Sequence, residues 1–334
     1  MSIKVSVIIP TFKRPALLLK CLAQLARQDF PKERYEVIVV TDGIDIETVT
    51  EVTAFYHQIT FFNLSCYSLS KKKGPAAARN RGVQYANGEL LVFTDDDCLP
   101  QPDWISEYWK AYDALHEKEA AFTGQTIVPH SKLPTDYERN IAQLETAEFI
   151  TANCAITKTV FNKVGGFDED FKLAWREDSD MHFKLLKASI QIHPVKNAVV
   201  VHPVRKAVWG VSLKEQKKGL FNALLYKKHT QLYKQKIDSS ALWNYYSMLL
   251  LFFMSLTGFI NGFFILALIP FTAWLILLVE FIARRLKSTS KHTSHVVEMI
   301  ITSLLIPFLS VFWALYGSFK YKTLFHEITV TKPS

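Results

Sequence analysis

The sequence is poor in the residues that build disulfide or zinc scaffolds. Its four cysteines, Cys21, Cys66, Cys98 and Cys154, stand far apart, with no C-x-x-C pair and no zinc spacing. That usage fits a reduced, cytoplasmic setting. No G-x-G-x-x-G follows a hydrophobic run and no Walker loop is present, so neither a dinucleotide oxidoreductase nor a P-loop nucleotidase is expected. The hydrolase signature G-x-S-x-G and the metalloprotease signature H-E-x-x-H are also missing. No internal repeat or low-complexity tract is visible. The polar Ser-Ile-Lys start and the short apolar run ending at Pro10 do not make a signal-peptide core, so none is expected. Acids are scarce in the apolar C-terminal region, where Glu280 and Glu298 alone are too few for a transport pathway.

What is present is uneven. Hydrophobic residues make up 49% of the 334-residue chain and crowd into its last third. The expected division is a mixed domain over 1–236 and membrane-anchoring helices over 237–334. The apolar stretch from Leu242 to Ala283, broken near Gly258 and Asn261-Gly262, is about twice the ~20 residues one crossing needs. It reads as a hairpin with spans at 242–260 and 263–282. The segment 296–319, interrupted by Glu298 and Pro307, is a third span or an interfacial helix. Lys320 and Lys322 beyond it favour the interfacial or re-entrant placement.

The net charge is +8, and its cations cluster beside the apolar segments. One group is Lys214, Lys217, Lys218, Lys227, Lys228, Lys234 and Lys236. Others are Arg284, Arg285, Lys287 and Lys291, then Lys320 and Lys322. Contact with anionic lipid headgroups on the cytoplasmic side is the simplest reading. No nucleic-acid motif accompanies the charge, so nucleic acid is not an expected partner.

Through the first hundred residues, β-branched runs alternate with helical periodicity. Val5 to Pro10, Glu36 to Val40 and Glu89 to Phe93 read as buried parallel strands, and Thr60 to Ser65 as a further strand. Helices are expected to about Gln28, from Ile46 to His57 and from Gly74 to Tyr85. This order predicts a parallel α/β sheet, whose ligands sit beyond the carboxyl ends of its strands. Thr11, Asp42 and the run Asp95-Asp96-Asp97 lie at such ends. Three adjacent carboxylates repel one another, and a hard cation such as Mg²⁺ or Mn²⁺ relieves that. Alternation along an extended stretch lets Asp95 and Asp97 share a face.

Six segments occur in one order: VSVIIPTF, EVIVVTDG, GPAAARNRG, Asp95-Asp96-Asp97, GGFDE (Gly165 to Glu169) and Glu177-Asp178. In that order they resemble family 2 glycosyltransferases with the GT-A fold, over roughly residues 3–210. The resemblance implies that Pro10, Thr11 and Phe12 line the base and ribose and that Asp42 bonds the base. Thr41 stands where many members have a second Asp. It also implies that Arg79 and Asn80 face the diphosphate or ribose, a task that suits the guanidinium fork. Asp95 and Asp96 would serve the nucleotide, with Asp95 and Asp97 at the metal. His202, after the run Ala198 to Val201, is implied at the metal or diphosphate, although a plain core or surface histidine fits it as well. His193 has no comparable context.

Periodicity bears on the second acidic cluster directly. In a helix beginning near Glu177, Asp178 shares a stripe with Met181, Leu185 and Leu186, so it is expected to face inward. Asp180 shares a stripe with Lys184 and Lys187 and is expected on a solvated face. The resemblance picks the same residue, Asp178, as general base, with Glu177 beside it. Gly165-Gly166-Phe167-Asp168 reads as a tight loop. Trp175 either stacks on an acceptor sugar or packs. The Gln-x-x-Arg-Trp sequence of processive synthases is missing where Lys206 to Gly210 stands, which argues for single-sugar transfer.

The expected protein is an α/β GT-A enzyme at the plasma membrane, with its catalytic domain on the cytoplasmic face. It moves one sugar from a nucleotide-sugar, by family habit a UDP-sugar, with inversion and with Mg²⁺ or Mn²⁺ as cofactor. The acceptor is a lipid-linked or glycan hydroxyl in envelope glycan or glycolipid synthesis. Transfer to a polyprenyl phosphate, and a non-catalytic sugar-nucleotide-binding protein, are the alternatives.

Overall fold

The structure is a computed structural model that describes residues 2–59, 63–116, 118–237 and 240–323, with side chains from 243 onward in the last stretch. By internal contacts the chain divides into two units. One holds Met1–Pro129 with Ala142–Val204, and the other holds His130–Ile141 with the chain from Arg205 onward.

The first unit is built on one eight-stranded sheet. In chain order its strands are β1 (Val5–Thr11), β2 (Tyr35–Thr41), β3 (Leu64–Ser68), β4 (Leu90–Thr94), β5 (Leu99–Pro100), β6 (Ala121–Ile127), β7 (Asn153–Thr157) and β8 (Ile192–Val201). Their order in the sheet is β3-β2-β1-β4-β7-β6-β8-β5. The expected all-parallel sheet holds for β3, β2, β1 and β4. Beyond β4 the sheet turns mixed: β7 runs antiparallel to both β4 and β6, while β6 and β8 pair parallel. The third strand starts later than expected, at Leu64. Thr60, Phe61 and Phe62 lie outside the described residues.

Every residue of β1 is buried, because helices cover both faces of the sheet. Val5, Val7 and Ile9 join one core with Leu18, Leu22, Leu25 and Trp104. Ile8 points the other way, into a core with Ile38, Val40, Ala76, Ala78, Met181 and Leu185. The helix Pro15–Leu25 stops one turn short of the expected Gln28, whose side chain bonds the Gln101 carbonyl at 2.7 Å. The helix Pro75–Tyr85 carries small residues on its inner face. A Cβ at Gly82 would come within 2.5 Å of Ile8 Cγ2, so this helix lies unusually close to β1. That approach sets Arg79 at the carboxyl edge of the sheet.

Periodicity misplaces one acid. In the helix Glu177–Lys187, Asp180 is fully buried rather than solvated, and Lys184 meets it at 3.0 Å. Met181, His182 and Phe183 are buried with it, so this helix packs on more than one side.

In the second unit the helices Ser240–Ile260 and Phe264–Leu286 form a hairpin around Gly262. Pro307 does not interrupt the third long helix, which runs unbroken from Thr293 to Tyr321. All three are long and apolar enough to cross a membrane by length and composition. The basic cluster at 284–291 is not uniform. Arg284 and Lys287 are exposed, but Arg285 is buried. It donates to Thr302 Oγ1 at 2.7 Å, Ser303 Oγ at 2.9 Å and Asp136 Oδ2 at 2.8 Å. Arg285 is therefore a fixed internal cation, not a headgroup contact.

Candidate active site

The site forms where β1, β2, β4 and β8 end. Pro10 and Thr11 are buried at the end of β1, and Phe12 is half-buried beyond them. Lys72 Nζ stands 4.2 Å from the Phe12 ring centroid and Lys13 Nζ 5.5 Å from it. Asp42 is buried at the end of β2. Its Oδ1 accepts from the backbone amides of Lys73 and Gly74 at 2.7 and 2.8 Å. Asp42 thus ties the 71–74 loop to the sheet.

The three carboxylates after β4 separate by alternation. Asp96 turns back into the protein. It accepts from Thr11 Oγ1 at 2.7 Å and pairs with Arg14 at 3.1 Å. Burial pushes its carboxyl up to about 7, outweighing the opposing pull of Arg14. The structure makes Asp96 an anchor, with the Thr11 hydroxyl spent on holding it. Arg14 also lies 4.0 Å from Asp97. No sequence reading singled out Arg14, because its carboxylate partners lie more than eighty residues away.

Asp95 is the half-exposed member of the run. Arg79 Nη2 donates to its Oδ1 at 2.7 Å, and the guanidinium holds the Asp95 carboxyl below the usual range although burial pulls the other way. The same Arg79 reaches Glu177 Oε1 through Nη1 at 3.3 Å. Arg79 is 2% exposed and stands over the Phe167 ring. One buried cation therefore joins the loop after β4 to the Glu177-Asp178 pair.

Burial raises both members of that pair. Glu177 is pushed up to about 7, first by desolvation and then by the charge of Asp178, and Asp178 is raised by desolvation. The helix that carries them starts abruptly: Arg176, just before it, has φ +75°, a left-handed conformation that disfavours side chains. Asp178 is half-buried, less so than Glu177 and Asp180 on the same helix. Trp175, at 36% exposure, has the Arg176 guanidinium 4.9 Å from its ring centroid.

Asn80 is bonded to a neighbouring loop. Its Nδ2 donates to the Phe167 carbonyl at 2.8 Å and to Glu169 Oε1 at 3.1 Å, and its Oδ1 accepts from the Phe167 amide at 2.9 Å. It clamps the Gly165-Gly166-Phe167 loop.

Asp97 and His202 do come together. Asp97 Oδ1 lies 3.8 Å from His202 Nε2, and both residues are buried. With Cys98 they place one potential ligand atom each within 4.8 Å of one another. Nε2 is the His202 nitrogen near Asp97, while the buried Nδ1 has no hydrogen-bond partner among the described residues. A carboxylate with an imidazole suits Mg²⁺ or Mn²⁺. Cys98 was missed by sequence reading, but burial drives its thiol well above its usual pKa, so a hard cation gains little from it. Asp95 stands outside this group.

Comparison with known proteins fits this geometry. A family model described as "Glycosyl transferase family 2" matches residues 6–178. The dolichyl N-acetyl-alpha-D-glucosaminyl phosphate 3-beta-D-2,3-diacetamido-2,3-dideoxy-beta-D-glucuronosyltransferase of Methanococcus voltae is 28% identical over 120 residues, which cover 36% of this chain and 37% of that protein. The first curated relatives are matched over only 33% to 47% of their own length. Among solved structures, mannosyltransferase PcManGT from Pyrobaculum calidifontis, in complex with GDP-Man and Mn²⁺, aligns with a TM-score of 0.59 at 18% identity, over 95% of this chain and 88% of that one. S. aureus TarS 1–349 in complex with UDP-GlcNAc aligns with a TM-score of 0.51 at 17% identity, over 97% and 93%. At these identities the likeness establishes the GT-A fold.

Proposed function

Because the chain belongs to glycosyltransferase family 2, we propose that it transfers a single sugar, with inversion, from a UDP-sugar to the hydroxyl of a lipid-linked acceptor. The observation that carries this reading is the Arg79 bridge, which sets the donor loop at Asp95 beside the acid pair Glu177-Asp178. Pro10, Phe12 and Asp42 take the nucleoside, with Thr11 and Asp96 behind them. Asp97 and His202 would hold the Mg²⁺ or Mn²⁺, which would supply positive charge to the diphosphate region. Arg79 keeps Asp95 ionised and adds a fixed cation to the same region.

Asp178 takes the proton from the acceptor hydroxyl as its oxygen attacks the anomeric carbon. Its raised pKa brings a carboxylate nearer to the operating pH, which improves it as a base. The lipid-linked acceptor is favoured by three helices able to span a membrane, and by the lipid-phosphate substrate in the name of the Methanococcus relative. The same helices and their basic flanks support a plasma-membrane location with the site on the cytoplasmic face.

The test is nucleoside diphosphate release from UDP-, GDP- and dTDP-sugars by detergent-solubilised protein with native lipid extract. One donor should be turned over. EDTA and Asp97→Ala should abolish release, and Asp178→Asn should slow it about 10²–10⁴-fold. Release that survives Asp178→Asn would move the acceptor to an already anionic polyprenyl phosphate. Donor binding with no turnover of any donor would overturn the enzymatic reading.

A further inference from the structure

β8 does not run straight. Its register with β6 jumps from Gly124↔Val195 to Gln125↔Val199, so Lys196, Asn197 and Ala198 leave the ladder. Three is an odd number. Every residue beyond the excursion therefore faces the side of the sheet opposite to the one an uninterrupted strand would give it. Burial follows this switch, falling on Val195, then on Ala198, Val200 and His202. After the excursion, β8 pairs Val201 with Ile127, and the His202 amide donates to the Ile127 carbonyl at 2.8 Å.

One buried side chain holds the excursion. Asn153, at the start of β7 and opposite Thr94 of β4, is fully buried. Its Nδ2 donates to the Ala198 carbonyl at 2.9 Å and to the Gln125 carbonyl at 2.8 Å. Its Oδ1 accepts from Trp104 Nε1 at 2.8 Å and from the Tyr108 hydroxyl at 2.7 Å. Both donor positions and the acceptor are thus committed, which fixes the orientation of the amide. Room for it depends on Gly124, where a Cβ would stand 2.4 Å from the Ala198 carbonyl oxygen and 2.5 Å from the Asn153 amide atoms.

We propose that Asn153 is a positioning residue for the metal site: by holding the three-residue excursion of β8, it turns His202 toward Asp97. The assignment rests on the proposed binding of a divalent cation by Asp97 and His202. The four hydrogen bonds of the Asn153 side chain go to Trp104, Tyr108, Gln125 and Ala198. Its reach is to the main chain at both edges of the site, beside Thr94 on one strand and at Ala198 on the other.

The test is Mn²⁺ affinity, read by electron paramagnetic resonance on the full chain in detergent, beside the thermal midpoint of each variant. Asn153→Leu removes the amide and keeps the branch at Cγ, and Gly124→Ala crowds both the Ala198 carbonyl and the Asn153 amide. Trp104→Phe is the control, removing one bond to Oδ1 and leaving both Nδ2 bonds. Asn153→Leu and Gly124→Ala should weaken Mn²⁺ about 10–100-fold, the range for residues that orient metal ligands. Trp104→Phe should lower the midpoint and leave affinity within about twofold of wild type. Affinity that falls in step with the midpoint in all three variants would reduce Asn153 to a core hydrogen-bonding group. Should Asn153→Leu fail to fold, unchanged affinity in Gly124→Ala overturns the assignment by itself. Wild-type protein that takes up no Mn²⁺ would overturn the metal reading, and this assignment with it.

Discussion

Two arginines are buried in this protein, one in each unit, and they do opposite work. Arg79, in the sheet unit, is surrounded by acids: it reaches Asp95 and Glu177, with Asp178 beside Glu177. Arg285, in the helical unit, has one carboxylate, Asp136, and otherwise neutral hydroxyls from Thr302, Ser303 and Ser212. Around Arg79 negative charge exceeds positive, and burial first, then the charge of Asp178, raises the pKa of Glu177. Around Arg285 four oxygens accept from the guanidinium, Asp136 being shared with Arg139, and the bonds tie the 130–141 segment to two long helices of the same unit. The first arrangement is under electrostatic tension and suited to chemistry. The second is satisfied and suited to holding structure.

The comparison predicts different kinds of damage. Arg79→Met leaves the Asp95, Glu177 and Asp178 carboxylates without their shared cation. Turnover should fall about 10³-fold, the scale for losing a preorganised charge, and a donor-release assay checks it. A loss below tenfold would break the assignment of Arg79 to the site. The damage in the helical unit should be to stability. Asp136→Ala leaves Arg285 as a buried cation among hydroxyls and should destabilise by about 3 kcal/mol or more. Arg285→Met removes the charge itself and should be milder, roughly 1–3 kcal/mol. Denaturant unfolding of the two variants checks the order, and the opposite order would mean that Arg285 is not desolvated as its surroundings indicate.

The two arginines also differ in how far the sequence reveals them. The runs Val5 to Pro10, Glu36 to Val40 and Glu89 to Phe93 announce β1, β2 and β4 because both faces of a central parallel strand must be apolar. Asp95 to Asp97 are equally plain at a strand end, and Glu177-Asp178 stands out as an acid pair opening a helix. Arg79 stands out within its motif. Arg285 does not, because adjacent Arg284 is exposed and nothing local separates them. Its partner Asp136 lies 149 residues away. For Asn80 and Asp96 the sequence does not reveal the protein partners, Phe167 and Thr11, since these lie more than eighty residues away. Asp180 failed for the related reason that helical spacing gives a direction but not what waits there. The β8 excursion has no sequence signature at all, since it exists only relative to the register of β6.

The smallest expected effect is on pH dependence, and it separates tension from satisfaction most cleanly. Glu177 and Asp96 both sit near a pKa of 7 when folded, far above an ordinary carboxylate. The folded protein then holds protons that the unfolded chain has already released. Stability from these groups is fully present below the unfolded carboxylate pKa and is lost as pH rises through about 7. Metal-free protein should therefore gain thermal midpoint on acidification from about pH 8 to about pH 5, against the usual carboxylate trend. Glu177→Gln cannot change its proton count at that position, so it should keep only the part of that gain owed to Asp96 and Asp178. Arg285→Met should leave the slope as it is, since Glu177 and Asp96 belong to the other unit. A Glu177→Gln variant with the wild-type slope would show that Arg79 already satisfies Glu177 as fully as Asp136 satisfies Arg285, and the contrast between the two arginines would collapse.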